Sequence, residues 1–588
     1  MTTLLRGLPR FAYHPYLDHL DDFPPIRDDE TVDLSRLLCL LVRSREVVAT
    51  IPIAATGGKF DLIVCWHDGA DGSVHSGHGR NDSKFEFSKP EGELVYPTSD
   101  QAVKEMFLAN RESAWEPHAN RVFHLTKMAK PTNYEWLARY LLLANAENSL
   151  NMLKHPLRWA EVFDQLTFDD FDYDELEAEG DFPYPSGIGL RRLLSDADIA
   201  PIRNLMRTVE EDKTFLGLLP STLRIGDQSL KAFLDSQSKS ESSLALDKAL
   251  MKEILVATHK VFQSSLEVLS SAYDQVVTDT DLVLDEPYEH ITTINFAFHS
   301  LLQSEFLGWV VTTISRMEIS NIHVNLMDAH EEDLLRVDTE QGPQIVGEPP
   351  DKEKPRWDEF WAWLHSCFNI IYHLEEVIEN RKLSVVNELK FFNFSPAELS
   401  SAMCGSTEMP NWRDVIARLE TVHSKEALYF GESEPPTREE FEEFLQSQAA
   451  EIVFEGVNQE ALVVSPELHF EAFLATLHFA TVVGLEVEKA SDDPRLKGIL
   501  QLFKRSVSRP TIGTSKPCCF TCREIILGLS MALRNHQSPG ISVSWSHIIG
   551  SSCTFPAILP ENVRRIVLQE VGRQFFRVLN AAVVFANL

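Results

Sequence analysis

From about Asp100 to Phe392, apolar residues recur three and four positions apart, which is the pattern of amphipathic helices. The clearest runs are WLARYLLLANAENSLNMLKH, ALDKALMKEILVATHKVFQSSLEVLSSAYDQVV and WDEFWAWLHSCFNIIYHLEEVIENRKLSVV. At 588 residues the chain is long enough for at least two packed cores, and its 44% hydrophobic content is typical of globular proteins. We therefore predict a large, mainly α region that is joined to other folded parts.

The sequence on either side of this region has a β component. VVATIPIA and KFDLIVCW, linked by Thr56-Gly57-Gly58, predict a β-hairpin near the N-terminus. From about Ser424 onward, short β-type runs alternate with helical ones, which is typical of a layered α/β domain. The predicted class is α+β, with a small β-containing segment at 1–100, a mainly helical region at 101–423 and an α/β domain at 424–588.

Three segments have the composition of exposed chain. Residues 161–182 combine many carboxylates with aromatics, and residues 328–356 carry charge with Gly and Pro, so both are predicted to be connectors. The acidic segment could alternatively dock a basic partner. His67, His75 and His78 fall in a third polar stretch, at 67–100, and we interpret them as part of a solvated loop.

Several features favour an intracellular protein, cytoplasmic or nuclear. The N-terminus lacks the apolar core and cleavage site of a secretory signal. The most hydrophobic stretch, Ile294 to Ile314, contains His299, Gln303 and Glu305, so a buried helix is predicted there instead of a transmembrane one. Eight cysteines are few for this length and suit a reducing compartment.

The charge is unevenly distributed along the chain. The net charge is −34, yet residues 489–588 hold 13 lysines and arginines against 5 acidic residues, a local balance of +8. This basic section contains the clustered thiols Cys518, Cys519 and Cys522. Clustered thiols in a reduced protein indicate metal or redox chemistry.

Two short motifs in the α/β section carry candidate chemistry. His469-Phe470-Glu471 opens a predicted helix, and 50 residues after the histidine Cys519-Phe520-Thr521-Cys522 opens another. Zinc prefers imidazole and thiolate ligands, and three protein ligands leave the fourth position for water. We predict Zn²⁺ bound by His469, Cys519 and Cys522. Glu471 is placed to move a proton during catalysis.

This H-x-E followed by C-x-x-C resembles the zinc-dependent cytidine-deaminase superfamily, whose nucleic-acid members attack cytosine C4 or adenine C6. SPELHFEAFLA and IGTSKPCCFTCREI resemble, more narrowly, a branch first noted in a rickettsial genome and widespread in fungi, where a Gly-x-Ser-Lys strand precedes the cysteines as in 513–516 here. The resemblance covers about 150 of the 588 residues. It implies a three-layer α/β/α cytidine-deaminase-like domain at 424–588 that hydrolyses an exocyclic amine from a nucleobase.

The chain departs from the superfamily pattern at the first cysteine ligand, which usually follows proline directly. Here Cys518 stands between Pro517 and Cys519. Choosing Cys519 keeps the two-residue spacing to Cys522, whereas Cys518 would be paired with Thr521, a poor zinc ligand. We predict that Cys518 is a packed thiol or a substitute ligand.

The substrate side of the site is predicted from neighbouring residues. Ser515 and Lys516 precede the cysteines, while Trp545 and His547 in a later strand could line a pocket. Nearby positive charge favours a phosphate-bearing substrate such as a nucleotide, RNA or single-stranded DNA, although ordinary solvated charges are an equal alternative. The residues concerned are Arg495, Lys497, Lys504, Arg505, Arg509, Lys516 and Arg523.

Two other functions remain open from the sequence. The chain could be an interaction protein in which zinc is purely structural, although Glu471 favours an active enzyme. It could also be a thiol-redox protein using Cys519 and Cys522, although the thioredoxin-like βαβ context is missing. His478 lies nine residues after His469 and is predicted to be a core or surface histidine, not a ligand.

Overall fold

The computed structural model describes the following parts of the chain: residues 29–43, 46–67, 94–154, 196–211, 224–225, 228–237, 248–279, 282–304, 307, 336–339, 342–345, 357–379, 382–395, 398–399, 468–485, 493–505, 510–515, 520–543, 559, 561, 563–566 and 568.

Most of the described chain before residue 380 is helical, which confirms the predicted mainly α region. The helices are α1 (Asp29–Leu41), α2 (Asp100–Asn110), α3 (Trp115–Met128), α4 (Tyr134–Ala144), α5 (Ala146–Lys154), α6 (Asp196–Glu211), α7 (Leu230–Gln237), α8 (Lys248–Thr278), α9 (Asp285–Leu302) and α10 (Trp357–Glu379). Helices α11 (Phe470–Val483), α12 (Pro494–Phe503) and α13 (Phe520–Asn535) follow later in the chain.

The strands are β1 (Val47–Ala54), β2 (Phe60–His67), β3 (Arg224–Ile225), β4 (Gln228–Ser229), β5 (Arg336–Thr339), β6 (Gly342–Ile345), β7 (Val386–Asn393), β8 (Thr511–Thr514) and β9 (Ser542–Val543). Strands β1 and β2 pair antiparallel in register from Val47↔His67 to Ala54↔Phe60, which confirms the predicted hairpin. Gly57 and Gly58 in the connecting turn have φ of 72° and 74°, left-handed values that glycine adopts without steric cost.

Five strands form one mixed sheet in the order β7-β2-β1-β8-β9. Strand β1 runs antiparallel to β2 and to β8, while β2 is parallel to β7 and β8 is parallel to β9. The predicted combination of α and β structure is therefore present. The sheet crosses the boundaries drawn at residues 100 and 423, because its strands come from all three predicted segments.

Both faces of the sheet are covered by helices. Val48, Leu62 and Val64 point to the large helical core, which includes residues of α1, α3 and α4. The alternate residues, among them Ile51 and Ile63, belong to a second core built with α11, α12 and α13. Successive side chains of a strand point to opposite faces, so β1 and β2 are apolar on both sides and read as nearly continuous apolar runs.

The most hydrophobic stretch of the sequence is Ile294 to Ile314. Its described residues, 294–304 and 307, lie in the helical core. Ile294, Ala297 and Phe298 of α9 are buried, and the Phe298 ring stacks on Phe368 of α10 with centroids 4.3 Å apart. Among the described residues, no helix combines the length and the apolar character that crossing a membrane would require.

The two predicted connectors have different outcomes. Residues 161–182 lie outside the described residues. Within 328–356 the structure places a two-stranded antiparallel hairpin, β5 with β6, which the sequence analysis did not foresee. These four-residue strands, one of them beginning Gly342-Pro343, lack the alternation of apolar residues that normally signals a strand.

Helix α1 packs so closely on β8 that a side chain at residue 513 would clash with its neighbours. A Cβ placed on Gly513 would lie 2.9 Å from Cβ of Leu34 and 3.1 Å from Cγ2 of Thr50. Overpacking of this kind typically costs about 1–3 kcal/mol. We expect Gly513→Ala to lower the free energy of unfolding by about that amount in urea titrations. An unchanged midpoint and slope would contradict the close packing described here.

Candidate metal centre

His469 lies at the N-terminal end of α11, a helix that is buried on nearly every side. Phe473 N donates a hydrogen bond to His469 O at 3.0 Å, so the histidine occupies the capping position with an extended backbone. The sequence FEAFLATLHFATVV is apolar almost all round, as expected for a helix that is enclosed by other elements. Gly484 ends the helix at a φ of 76°. The packing of α11 therefore determines the position of His469.

Cys522 lies in the first turn of α13, which follows β8 in the chain and packs against α11. Its side chain is 0% exposed. The Cys522 Sγ atom is 3.3 Å from Nδ1 of His469. The N-terminal ends of two helices thus bring together an imidazole and a thiol that are 53 residues apart in the sequence.

Glu471 completes a compact group of three potential ligands. One ligand atom from each of His469, Glu471 and Cys522 lies within 4.8 Å of the other two. His469 and Glu471 are partly exposed, whereas Cys522 is buried, so the group is accessible from one side. Cys519, the remaining predicted ligand, immediately precedes α13 in the sequence but lies outside the described residues.

The His469–Cys522 distance fits a shared zinc ion. Zinc bonds of about 2.3 Å to sulfur and about 2.0 Å to nitrogen, at a tetrahedral angle, separate the two ligand atoms by about 3.5 Å. The observed separation is 3.3 Å. A direct S–H···N hydrogen bond has a similar length, so the metal content of the protein is the measurement that separates the two interpretations.

Ser515, a predicted substrate contact, holds strand ends together. Its Oγ accepts a hydrogen bond from Val48 N at 3.0 Å, and its own N–H donates to Val48 O at 2.9 Å. Cys39 Sγ on α1 also lies 3.6 Å from Ser515 O. The hydroxyl therefore extends the pairing of β8 with β1. The other predicted substrate contacts, Lys516, Trp545 and His547, lie outside the described residues.

His67 is closer to the candidate centre than the sequence analysis expected. The prediction of a solvated loop is wrong for this residue, because His67 is the last residue of β2 and pairs with Val47. Its ring centroid is 5.5 Å from that of Phe470, the residue between His469 and Glu471. The signal for this position was the strand alternation, because Ile63, Cys65 and His67 share one face of β2.

His478 is a core residue of α11. It is buried, and burial lowers its pKa from 6.5 to about 4, so it is neutral at physiological pH. Its side chain is not part of the group formed by His469, Glu471 and Cys522. The position is therefore explained by packing.

Arg495 is engaged by local carboxylates. Its guanidinium contacts Asp493 at 2.8 Å and Glu398 at 3.1 Å, and it donates to Asn393 O at 2.9 Å. The hydrogen bond with Asp493 is the main reason why the pKa of Arg495 is raised, with burial opposing and the Glu398 contact adding to the shift. Arg495 thus links the start of α12 to the end of β7.

Arg505 lies at the other end of the sheet from the candidate centre. It donates to Ala54 O at 2.7 Å and contacts Asp61 at 3.4 Å, whereas Ser515 pairs with Val48 at the opposite end of β1. The length of β1 separates the two ends by about 23 Å. Arg523 directly follows Cys522 and is at the same helix terminus, while Arg509 lies outside the described residues.

Comparisons of the chain with known protein families, with curated proteins and with solved structures find no match. The case for a function therefore depends on the residues of this site and on their arrangement.

Proposed function

We propose that the protein is a zinc-dependent hydrolytic deaminase acting on a nucleobase, with His469, Cys519 and Cys522 as the zinc ligands. The observation that carries the proposal is the convergence of His469, Glu471 and Cys522 to within 4.8 Å. These residues belong to the two motifs that resemble the cytidine-deaminase superfamily, and its three-layer domain is part of the proposal.

The surrounding architecture supports a ligand site at this place. Strand β8 is parallel to β9, and α13 connects them in the sequence. In α/β structures, ligands bind beyond the carboxyl ends of parallel strands, where the following helices begin. The candidate centre involves the first turn of α13, after the carboxyl end of β8. The proposed domain also needs β1 and β2, so it extends beyond residues 424–588.

The chemistry follows from the donor set. A zinc ion, when bound, makes a hydroxide nucleophile available at neutral pH. Glu471 takes the proton of the attacking water and delivers it to the exocyclic nitrogen, which leaves as ammonia. The carbon–nitrogen bond is thereby replaced by a carbon–oxygen bond, with one water consumed for each ammonia released. His469 and Cys522 act by holding the metal from two rigid helix ends.

The burial of the cluster disfavours the thiol-redox alternative. Reactive redox thiols are usually partly exposed, but Cys522 is 0% exposed and its sulfur faces His469. A purely structural zinc site is usually closed by four protein ligands. Here a carboxylate lies beside the ligands and the group is partly exposed, which favours a site with a position open for substrate.

Zinc analysis of the purified full-length protein is the first test. We expect about one zinc per chain, and little zinc in Cys519→Ser, Cys522→Ser or His469→Ala, because each substitution removes one of three protein ligands. Cys367→Ser is the matched control, since Cys367 is a buried thiol of the distant helix α10. A zinc-free wild type, or a Cys522→Ser variant with full zinc content, would rule out the centre.

Cys518→Ser decides the ligand register in the same experiment. Retention of zinc by this variant supports Cys519 as the ligand, whereas loss of zinc would assign Cys518 and overturn the predicted spacing.

Ammonia release by the zinc-loaded protein tests the activity itself. Substrates should include cytosine and adenine nucleosides, their nucleotides, and single-stranded RNA and DNA. Turnover of any of them supports the proposal and defines its substrate class. Zinc binding without turnover across this panel would favour an interaction protein with structural zinc.

A further inference from the structure

A second polar cluster lies in the helical core, on the other face of the sheet from the candidate metal centre. Arg43 follows α1, His118 and Arg121 are one turn apart on α3, and Tyr140 is on α4. His118 and Tyr140 are each only 1% exposed, whereas Arg43 and Arg121 are partly exposed. The cluster is therefore buried at its base and reaches the surface through its two arginines.

Hydrogen bonds fix the base of this cluster. The Tyr140 hydroxyl lies 3.5 Å from Nδ1 of His118, and Arg43 Nη1 donates to Ser113 O at 2.7 Å. When the tyrosine hydroxyl donates to Nδ1, the hydrogen of the neutral imidazole is on Nε2, which then becomes a donor. A hydrogen bond from Arg121 to the Tyr140 hydroxyl leaves the hydroxyl hydrogen available for Nδ1, which favours this tautomer.

Two buried donors of the cluster have no acceptor in the described part of the chain. These are Nε2 of His118 and Nη1 of Arg121. Buried N–H groups are almost always paired, and an unpaired one costs free energy, so the arrangement indicates a missing acceptor.

The electrostatics of the cluster are those of an anion site. Burial, followed by the charges of Arg43 and Arg121, lowers the pKa of His118 to about 3, so His118 is neutral. Burial raises the pKa of Tyr140, although the charge and hydrogen bond of Arg121 oppose the shift. Within the described residues, no carboxylate forms an ion pair with Arg43 or Arg121. Glu46 accepts a hydrogen bond from the backbone N–H of Arg43, at 3.0 Å.

We propose that Arg43, His118 and Arg121 bind a small oxyanion, namely a phosphate group. The planar forks of two guanidinium groups match the oxygen atoms of phosphate, and His118 Nε2 supplies a third donor. Because His118 and Tyr140 are almost fully buried and the two arginines are partly exposed, the proposed ligand is small: inorganic phosphate or the terminal group of a phosphate monoester. This site is independent of the metal centre and of the deaminase proposal.

Equilibrium dialysis of the full-length protein with radiolabelled inorganic phosphate tests this proposal. We expect saturable binding of about one phosphate per chain and at least a tenfold weaker affinity in Arg121→Met, since the guanidinium group with its unpaired Nη1 is lost. The matched control is Arg139→Met on α4, because Arg139 forms an ion pair with Asp100 at 3.1 Å. This control should bind phosphate like the wild type.

A second arm distinguishes the sources of the phosphate group and guards against a folding defect. Competition by ribose 5-phosphate but not by ribose would show that the site accepts a monoester; competition by neither would restrict the site to the inorganic ion. If Arg121→Met fails to fold, His118→Gln is the substitute and should also weaken binding. The absence of saturable binding in the wild type, or equal affinities in the wild type and a folded variant, would overturn the proposal.

Discussion

Glu471→Gln is expected to bind zinc like the wild type and to release ammonia at a rate lower by roughly 10²–10⁴-fold, the usual contribution of general acid–base catalysis. Glutamine has the same shape and keeps the first turn of α11 intact, but it neither accepts a proton from water nor returns one to the leaving amine. The test measures kcat/KM in an ammonia assay, together with the zinc content of the same sample.

The matched control for this variant is Glu561→Gln, an exposed glutamate late in the chain, paired with Arg564. It should leave both zinc content and rate unchanged. If Glu471→Gln keeps the wild-type rate, Glu471 is not the proton carrier. If it loses zinc together with activity, Glu471 acts as a metal ligand, and the set of three predicted ligands is incomplete.

The fragment 424–588, which the sequence analysis treats as a domain, is expected to remain unfolded or to aggregate when it is produced alone. Strand β8 pairs with β1 at Ala49↔Thr514 and Thr50↔Gly513, and β1 is missing from this fragment. The second core also loses Ile51, Ile63 and its other residues from β1, β2 and β7. The fragment would expose that apolar surface to water.

A buried polar contact strengthens this expectation, because it joins three distant parts of the chain. Asp61 of β2 is contacted by Arg505 at 3.4 Å and by Lys390 of β7 at 3.5 Å, and it accepts from Asn387 at 2.9 Å. The fragment 424–588 lacks Asp61, Lys390 and Asn387, so Arg505 alone remains and has lost its buried acceptor.

Circular dichroism and urea unfolding of the fragment, beside the full-length chain, provide the measurement. A fragment without a cooperative transition agrees with the shared sheet. Cooperative unfolding of 424–588 alone would show that the C-terminal part folds independently and that the β1–β8 pairing is dispensable for its stability.

Local signals in the sequence were sufficient for several elements. The helical periodicity predicted the helices on either side of the sheet, and the two β-branched runs around Gly57 and Gly58 predicted the hairpin. His469, Glu471 and Cys522 were recognisable from the spacing within two short motifs. Each of these signals lies within one helix or one turn, where propensity and capping are determined by neighbouring residues.

Tertiary structure alone decided how these pieces are combined. Pairing β1 with β8 joins residues more than 450 positions apart. The sequence of a strand does not indicate which distant strand will pair with it. The same applies to His67 against Phe470 and to Arg505 at the far end of the sheet. The sequence determined which residues are apolar, charged or metal-binding. Which of them meet was decided by the burial of both faces of one sheet, because burial depends on the whole chain and not on local pattern.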